Sequence, residues 1–96
     1  MSKRAFHAVA YDVPNDKRRL KVARLLERYG ERVQYSVFEM WLTAEEAETV
    51  RHELLSIIDE KEDQIRIYRL CEADVRRIAV LGDGEVQPPP GPVVVL

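Results

Sequence analysis

Pro14 cuts the first thirty residues of this 96-residue chain into two segments that cannot share one element. Before it, Ala5 to Tyr11 (AFHAVAY) is short, apolar on both parities and suited to a pleated surface, so it reads as a strand. Proline gives no N–H to a sheet ladder and forces Val13, its predecessor, into an extended conformation. After it, Asn15 or Asp16 supplies a helix N-cap. Val22, Leu25, Leu26 and Tyr29 then recur at helical spacing until Gly30 ends the run.

The remaining chain continues the alternation. Arg32 to Leu42 (RVQYSVFEMWL) reads as a second, longer strand. Thr43-Ala44-Glu45-Glu46 fits a capping box, and the helix it opens buries Ala47, Val50, Leu54, Ile57 and Ile58 at spacings of three and four. Gln64 to Leu70 (QIRIYRL) alternates as a third strand, and Arg77 to Leu81 reads as a fourth. Four strands and two helices of this kind fit the α+β ferredoxin-like sandwich, βαββαβ, with a four-stranded antiparallel sheet carrying both helices on one face. The other face is left bare, and on so small a domain a bare face meets ligand, nucleic acid or a second copy. Residues 1–82 form this domain. Residues 83–96, after Gly82-Asp83-Gly84, form a Pro-rich linker and an apolar terminal strand, Val93 to Leu96. That strand is expected to pair with a sheet edge, including the edge of a partner subunit, because in water it is an aggregation hazard. A chain of this size also gains stability from a buried partner surface, which points to a homodimer.

Composition removes several classes. No apolar run approaches the ~20 residues needed to cross a bilayer, and MSKR is followed by only a short strand-like segment, so neither a membrane partner nor a signal peptide is expected. The single Cys71 allows neither an intrachain disulfide nor a CxxC site; it suits a reducing cytoplasm and is expected as a buried residue at a strand end. A net charge of −2 argues against a generic nucleic-acid glue, but the charge is unevenly spread. Residues 1–32 hold nine Lys or Arg against four Asp or Glu, whereas residues 33–64 hold two against nine. One basic surface on a mildly acidic protein follows.

The basic residues fall into two groups. Lys17, Lys21, Arg24 and Arg28 recur at spacings of four, three and four, which makes one exposed ridge on the first helix. Arg18 and Arg19 turn toward the apolar side, yet in the first helical turn they can overhang the sheet end where Asp12 emerges. Asp12 is either a surface ion-pair partner or half of a metal site. One carboxylate is poor ligation in a chain with no HxxxH or CxxC pattern. A twofold axis near the strand end brings in a second Asp12, and two carboxylates with water suit octahedral Mg²⁺. Phe38 shares strand parity with Arg32, Gln34 and Ser36; if Val33, Tyr35 and Val37 face the helices, Phe38 lies on the bare face, available for subunit packing or base stacking. His7, His52 and Ser36 lack a catalytic setting.

The stretch AYDVPNDKRRLKVARLLERYGERVQYSVFE resembles the amino-terminal pattern of the small CRISPR-associated Cas2 family: a strand ending in Tyr-Asp, a basic helix, Gly, then an RVQ-x-SVFE strand. YD, RR-x-KV and RVQ-x-SVFE occur in register, closely over residues 5–39 and more loosely through about residue 81. The resemblance implies a ferredoxin-like homodimer in the spacer-acquisition machinery of prokaryotic antiviral defence, with a divalent metal, Mg²⁺ or Mn²⁺, held between paired aspartates. It implies Asp12 as the metal ligand, Arg19 and Arg32 as basic site residues and Phe38 as the site aromatic; the helix bases Lys17, Arg18, Lys21, Arg24 and Arg28 are expected, from their placement, to bind nucleic acid. Some relatives have arginine where this chain has Lys21, which keeps the charge and loses the bidentate fork. Two activities follow: metal-dependent endonuclease cleavage of RNA or DNA, or a non-catalytic dimeric scaffold that holds duplex DNA for the CRISPR integrase subunit.

Overall fold

The structure is a computed structural model and describes residues 3–91. The first strand, β1 (Ala5–Asp12), hands over at Pro14 to α1 (Asp16–Glu27). The Asn15 side chain caps α1 by accepting the Arg18 N–H at 3.0 Å. One side of the helix buries Val22, Ala23, Leu25 and Leu26. Gly30 then brings the chain against the sheet. A Cβ there would stand 2.2 Å from the Glu39 carbonyl oxygen and 2.6 Å from Met40 Cβ, so close approach, not a left-handed turn, demands glycine.

The segment expected as one strand over 32–42 is a hairpin: β2 (Glu31–Gln34) and β3 (Val37–Leu42), joined by a turn at Tyr35 and Ser36. Tyr-Ser carries none of the Gly, Asn or Pro chemistry that marks a tight turn, which is why the break is not legible. The pairing slips between Arg32 and Gln34, where the register shifts. Beyond β3, Thr43 and Glu46 form the expected capping box at the head of α2 (Ala44–Ile57). β4 (Gln64–Leu70) follows. The strand expected over Arg77 to Leu81 is absent, and a single turn, α3 (Glu72–Val75), stands before it. The Arg76 and Arg77 amides are already given to the Glu72 and Asp74 carbonyls, at 3.1 and 3.0 Å. The elements expected one by one run βαβαββ; the hairpin, by placing two strands between the helices, is what gives the order βαββαβ of the expected fold.

The strands lie in the order β2-β3-β1-β4 with every neighbour antiparallel. Register places Val9 beside Phe38 and His7 beside Met40, on the face the helices cover. Val9, Tyr11, Phe38, Met40 and Leu42 pack there against Val22, Leu25, Leu26, Val50 and Leu54. Phe38 is 0% exposed, so its expected place on the bare face is reversed. Alternation of Phe38, Met40 and Leu42 with Val37, Glu39 and Trp41 decides the matter, since burying Glu39 in the core would strand a charge.

On the helix-free face Phe6 meets Trp41 edge to face, with ring centroids 5.4 Å apart. The Trp41 indole N–H donates to the Gln87 carbonyl at 2.9 Å, so the chain beyond α3 returns across this end of the sheet. Cys71, expected to be buried, is exposed at the N-cap of α3 and approaches Asp74 Oδ2 at 3.3 Å. The terminal segment Val93–Leu96 lies outside the described residues.

Candidate functional site

The sheet end where β1 stops is the richest in chemistry. Tyr11 is buried, Asp12 exposed and Val13 buried, so alternation turns the Asp12 carboxylate away from the helices. Arg19 and Arg32 do not share that side. They line a groove of about 320 Å³ between α1 and the β2–β3 turn, together with Tyr11, Asp16, Leu20 and Tyr35. The expected cluster of one acid with its arginines is therefore split across the strand, with Tyr11 and Asp12 as consecutive residues reaching opposite faces.

Arg32 meets three side chains within the groove. Its guanidinium lies 5.2 Å from the Phe38 ring centroid and 6.0 Å from that of Tyr35, and Nη2 donates to the Tyr11 hydroxyl at 3.4 Å. Tyr11 in turn donates to the Tyr35 carbonyl at 3.3 Å. Arg19 donates to the Val13 and Pro14 carbonyls at 3.0 and 3.1 Å and pairs with Asp16. It thus anchors the loop that carries Asp12 forward. Its guanidinium is held above the ordinary arginine value, chiefly by the hydrogen bond to Asp16, with a smaller contribution from Tyr35.

Of the helical bases, Lys17, Lys21, Arg24 and Arg28 are exposed as one ridge, as the spacing predicts. Arg28 sits 3.8 Å from Glu53. Arg18 departs from the expectation. Its Nε donates to Asp63 Oδ2 at 2.7 Å, and Nη2 reaches both Asp63 Oδ1 at 3.2 Å and Glu62 at 2.9 Å. Asp63 also accepts the Asp59 N–H at 2.9 Å, and its side chain is 0% exposed. A fork spent in this way clamps α1 to the start of β4 and leaves little for a phosphate. Asp63 is followed by Gln64, the cross-strand neighbour of Asp12, so the clamp frames the acid it does not touch.

Among the described residues no three His, Cys, Asp or Glu side chains gather so that they could hold an ion. Asp12 is exposed and takes part in none of the ion pairs among the described residues, so its oxygens are open to a second copy. An all-oxygen donor set fits Mg²⁺ or Mn²⁺ and not a thiolate- or imidazole-seeking ion. No helix of the described residues is long and apolar enough to cross a membrane.

Comparison with known proteins gives this geometry its family. Residues 5–78 match the family model for CRISPR-associated protein Cas2. The chain belongs to the Cas2 family. It is 40% identical over 89 residues to the CRISPR-associated endoribonuclease Cas2 3 of Synechocystis sp., covering 93% of this chain and 97% of that one. Its fold is similar to that of Streptococcus pyogenes Cas2 at pH 6.5, with a TM-score of 0.72 and 44% identity over 80% of this chain and 99% of the other. It is also similar to a chain of a partial Cas6-RT-Cas1–Cas2 complex, with a TM-score of 0.70 and 33% identity over 80% and 90% of the two chains.

Within this Cas2 fold, the sequence reading misses Tyr11, Asp16 and Tyr35 as groove residues. A signal for them exists: Tyr11 and Tyr35 carry hydroxyls beside the two arginines that the motif singles out, at the ends of the strands that converge on Asp12.

Proposed function

We propose that this protein works in CRISPR spacer acquisition as a cytoplasmic homodimer that binds nucleic acid and cleaves phosphodiester bonds with a divalent metal. The observation that carries the reading is the placement of Asp12: an exposed carboxylate closing β1, at the foot of a helix whose outer side is a basic ridge. Kinship with an endoribonuclease and with a chain of a Cas1–Cas2 complex supports it.

In this reading Asp12 from each of two subunits holds one Mg²⁺ or Mn²⁺. When bound, such an ion neutralises charge developing on a phosphate and makes an attacking water more acidic. The protein's own residues do the placing. Lys17, Lys21, Arg24 and Arg28 draw the polyanion along α1. Arg19 fixes the loop after Asp12 through two carbonyls, and Arg32 presents a guanidinium already oriented by Phe38, Tyr35 and Tyr11 to a neighbouring phosphate. Phe38, fully buried, acts by supporting Arg32 and stacks on no base. Arg18 serves the clamp to Asp63.

The test is Asp12→Asn. A folded, dimeric Asp12→Asn protein should lose Mg²⁺- and Mn²⁺-dependent cleavage of labelled RNA, single-stranded DNA and duplex DNA while still binding them. Cleavage at the parent rate would refute the assignment.

A second reading, the non-catalytic scaffold that holds duplex DNA for an integrase partner, is favoured by one observation: four exposed bases stand in one ridge along α1. Each duplex phosphate neutralised steepens log K against log salt by about 0.9. Reversing charge at Lys21 and Arg24 should therefore flatten the slope by about 2 per subunit if both touch phosphate. An unchanged slope would take the ridge out of the binding surface.

A further inference from the structure

The groove holding Arg19 and Arg32 is more than a pair of charges. At about 320 Å³ it falls at the small end of ligand-sized pockets, and its walls alternate aromatic, aliphatic and ionic: Tyr35 and Leu20 beside Arg32, Arg19, Asp16 and Tyr11. Tyr35 stands at the hairpin tip with 74% of its surface exposed, and Leu20 across from it is 50% exposed. A large aromatic left in water at a turn makes no contribution to the core. Its ring has Arg32 against it at 6.0 Å, while most of its surface is open.

We propose that this groove is a subsite for one unstacked nucleobase of a single strand, with the base against the Tyr35 ring and its phosphate on Arg32. The inference rests on the nucleic-acid binding proposed above and goes beyond it by naming which form of strand the groove takes. Every base has a π-face, so stacking on Tyr35 is tolerant of sequence. A duplex cannot use the site, because its bases already stack on one another and its outer surface offers only phosphate and groove edges. Arg32 needs no reorganisation to serve. Two rings and a hydroxyl hold its plane in place, so a phosphate joining an inserted base meets a cation already positioned. Leu20 gives the base an aliphatic second wall. The groove begins at Tyr11, the residue before Asp12, and lies on the opposite face of β1 from the exposed carboxylate.

Filter binding at fixed salt, with a short oligoadenylate and a blunt DNA duplex as probes, tests the site. Tyr35→Ala should weaken oligoadenylate binding by about tenfold, which corresponds to about 1.4 kcal/mol and lies within the range for stacking of one base. Tyr35→Phe should restore it, and duplex affinity, which senses Tyr35 only through its contact with Arg32, should fall by much less than oligoadenylate affinity in Tyr35→Ala. Thermal unfolding of Tyr35→Ala should match the parent, since so exposed a ring carries little packing. An unchanged oligoadenylate affinity, or an equal loss for strand and duplex, would overturn the subsite. A parent that binds duplex but no single strand would overturn this inference alone. A parent that binds neither would remove the nucleic-acid reading as well.

Discussion

Gly30→Ala isolates one contact on which the meeting of helix and hairpin depends. Outside the left-handed region, replacing glycine by alanine ordinarily stabilises a fold by about 0.4–1 kcal/mol, because the unfolded chain loses freedom. Here the new methyl would sit 2.2 Å from the Glu39 carbonyl oxygen and 2.6 Å from Met40 Cβ. Ordinary contact begins near 3.4 Å, so the helix exit and β3 must separate by about 1 Å. Neither partner can give cheaply, since one is ladder backbone and the other the root of a side chain that is 2% exposed. Overpacking of this sort costs about 1–3 kcal/mol and outweighs the entropic gain. For a domain of this size each kcal/mol lowers the melting temperature by about 4–8 °C. Circular dichroism melts and urea titrations at one fixed protein concentration measure the loss, the concentration being held because association would shift the midpoint. An alanine protein as stable as the parent would show that the hairpin yields at no cost and that the close approach constrains nothing.

Other perturbations probe other links. Asp63 is held below the usual aspartate range, first by the Arg18 hydrogen bond, so its ionised form favours the folded state. That contribution is complete above the ordinary value of 3.8 and disappears as pH falls through the lower folded value. Asp63→Asn should therefore flatten the acid limb of urea midpoint against pH below about 4, and an unaltered limb would contradict the clamp. Phe38→Ala should cost about 3–5 kcal/mol, as expected for a core ring and not for an exposed one. A loss below about 0.5 kcal/mol in the same urea titration would return Phe38 to the surface.

The first half of the fold is legible because local chemistry and tertiary structure agree there. Pro14, Asn15 and the apolar spacing of α1 each mark the same boundary, and Thr43 with Glu46 marks the next. The hairpin is hidden because Tyr35-Ser36 is a turn without turn residues, and missing it left the face of Phe38 undecided by parity alone. The apolar IAVL after Arg77 imitates a strand, yet its first amide, that of Ile78, donates to the Val75 carbonyl and the segment joins no strand. In the site, periodicity finds the ridge, since every ridge residue lies on one helix. It cannot find that Arg18 is committed to Asp63, 45 positions away, because ion pairing between distant segments leaves no trace in local spacing. The motif points to Asp12 and the two groove arginines, but their separation onto opposite faces is a property of the pleat.

The bond from the Trp41 indole to Gln87 joins the chain's single tryptophan to the segment just ahead of the proline run. Indole emission depends on the polarity and hydrogen bonding of its surroundings. Unmodified protein thus carries its own optical gauge of the segment around Gln87, and a change in how that segment meets the sheet would announce itself as a shift in colour without any attached dye.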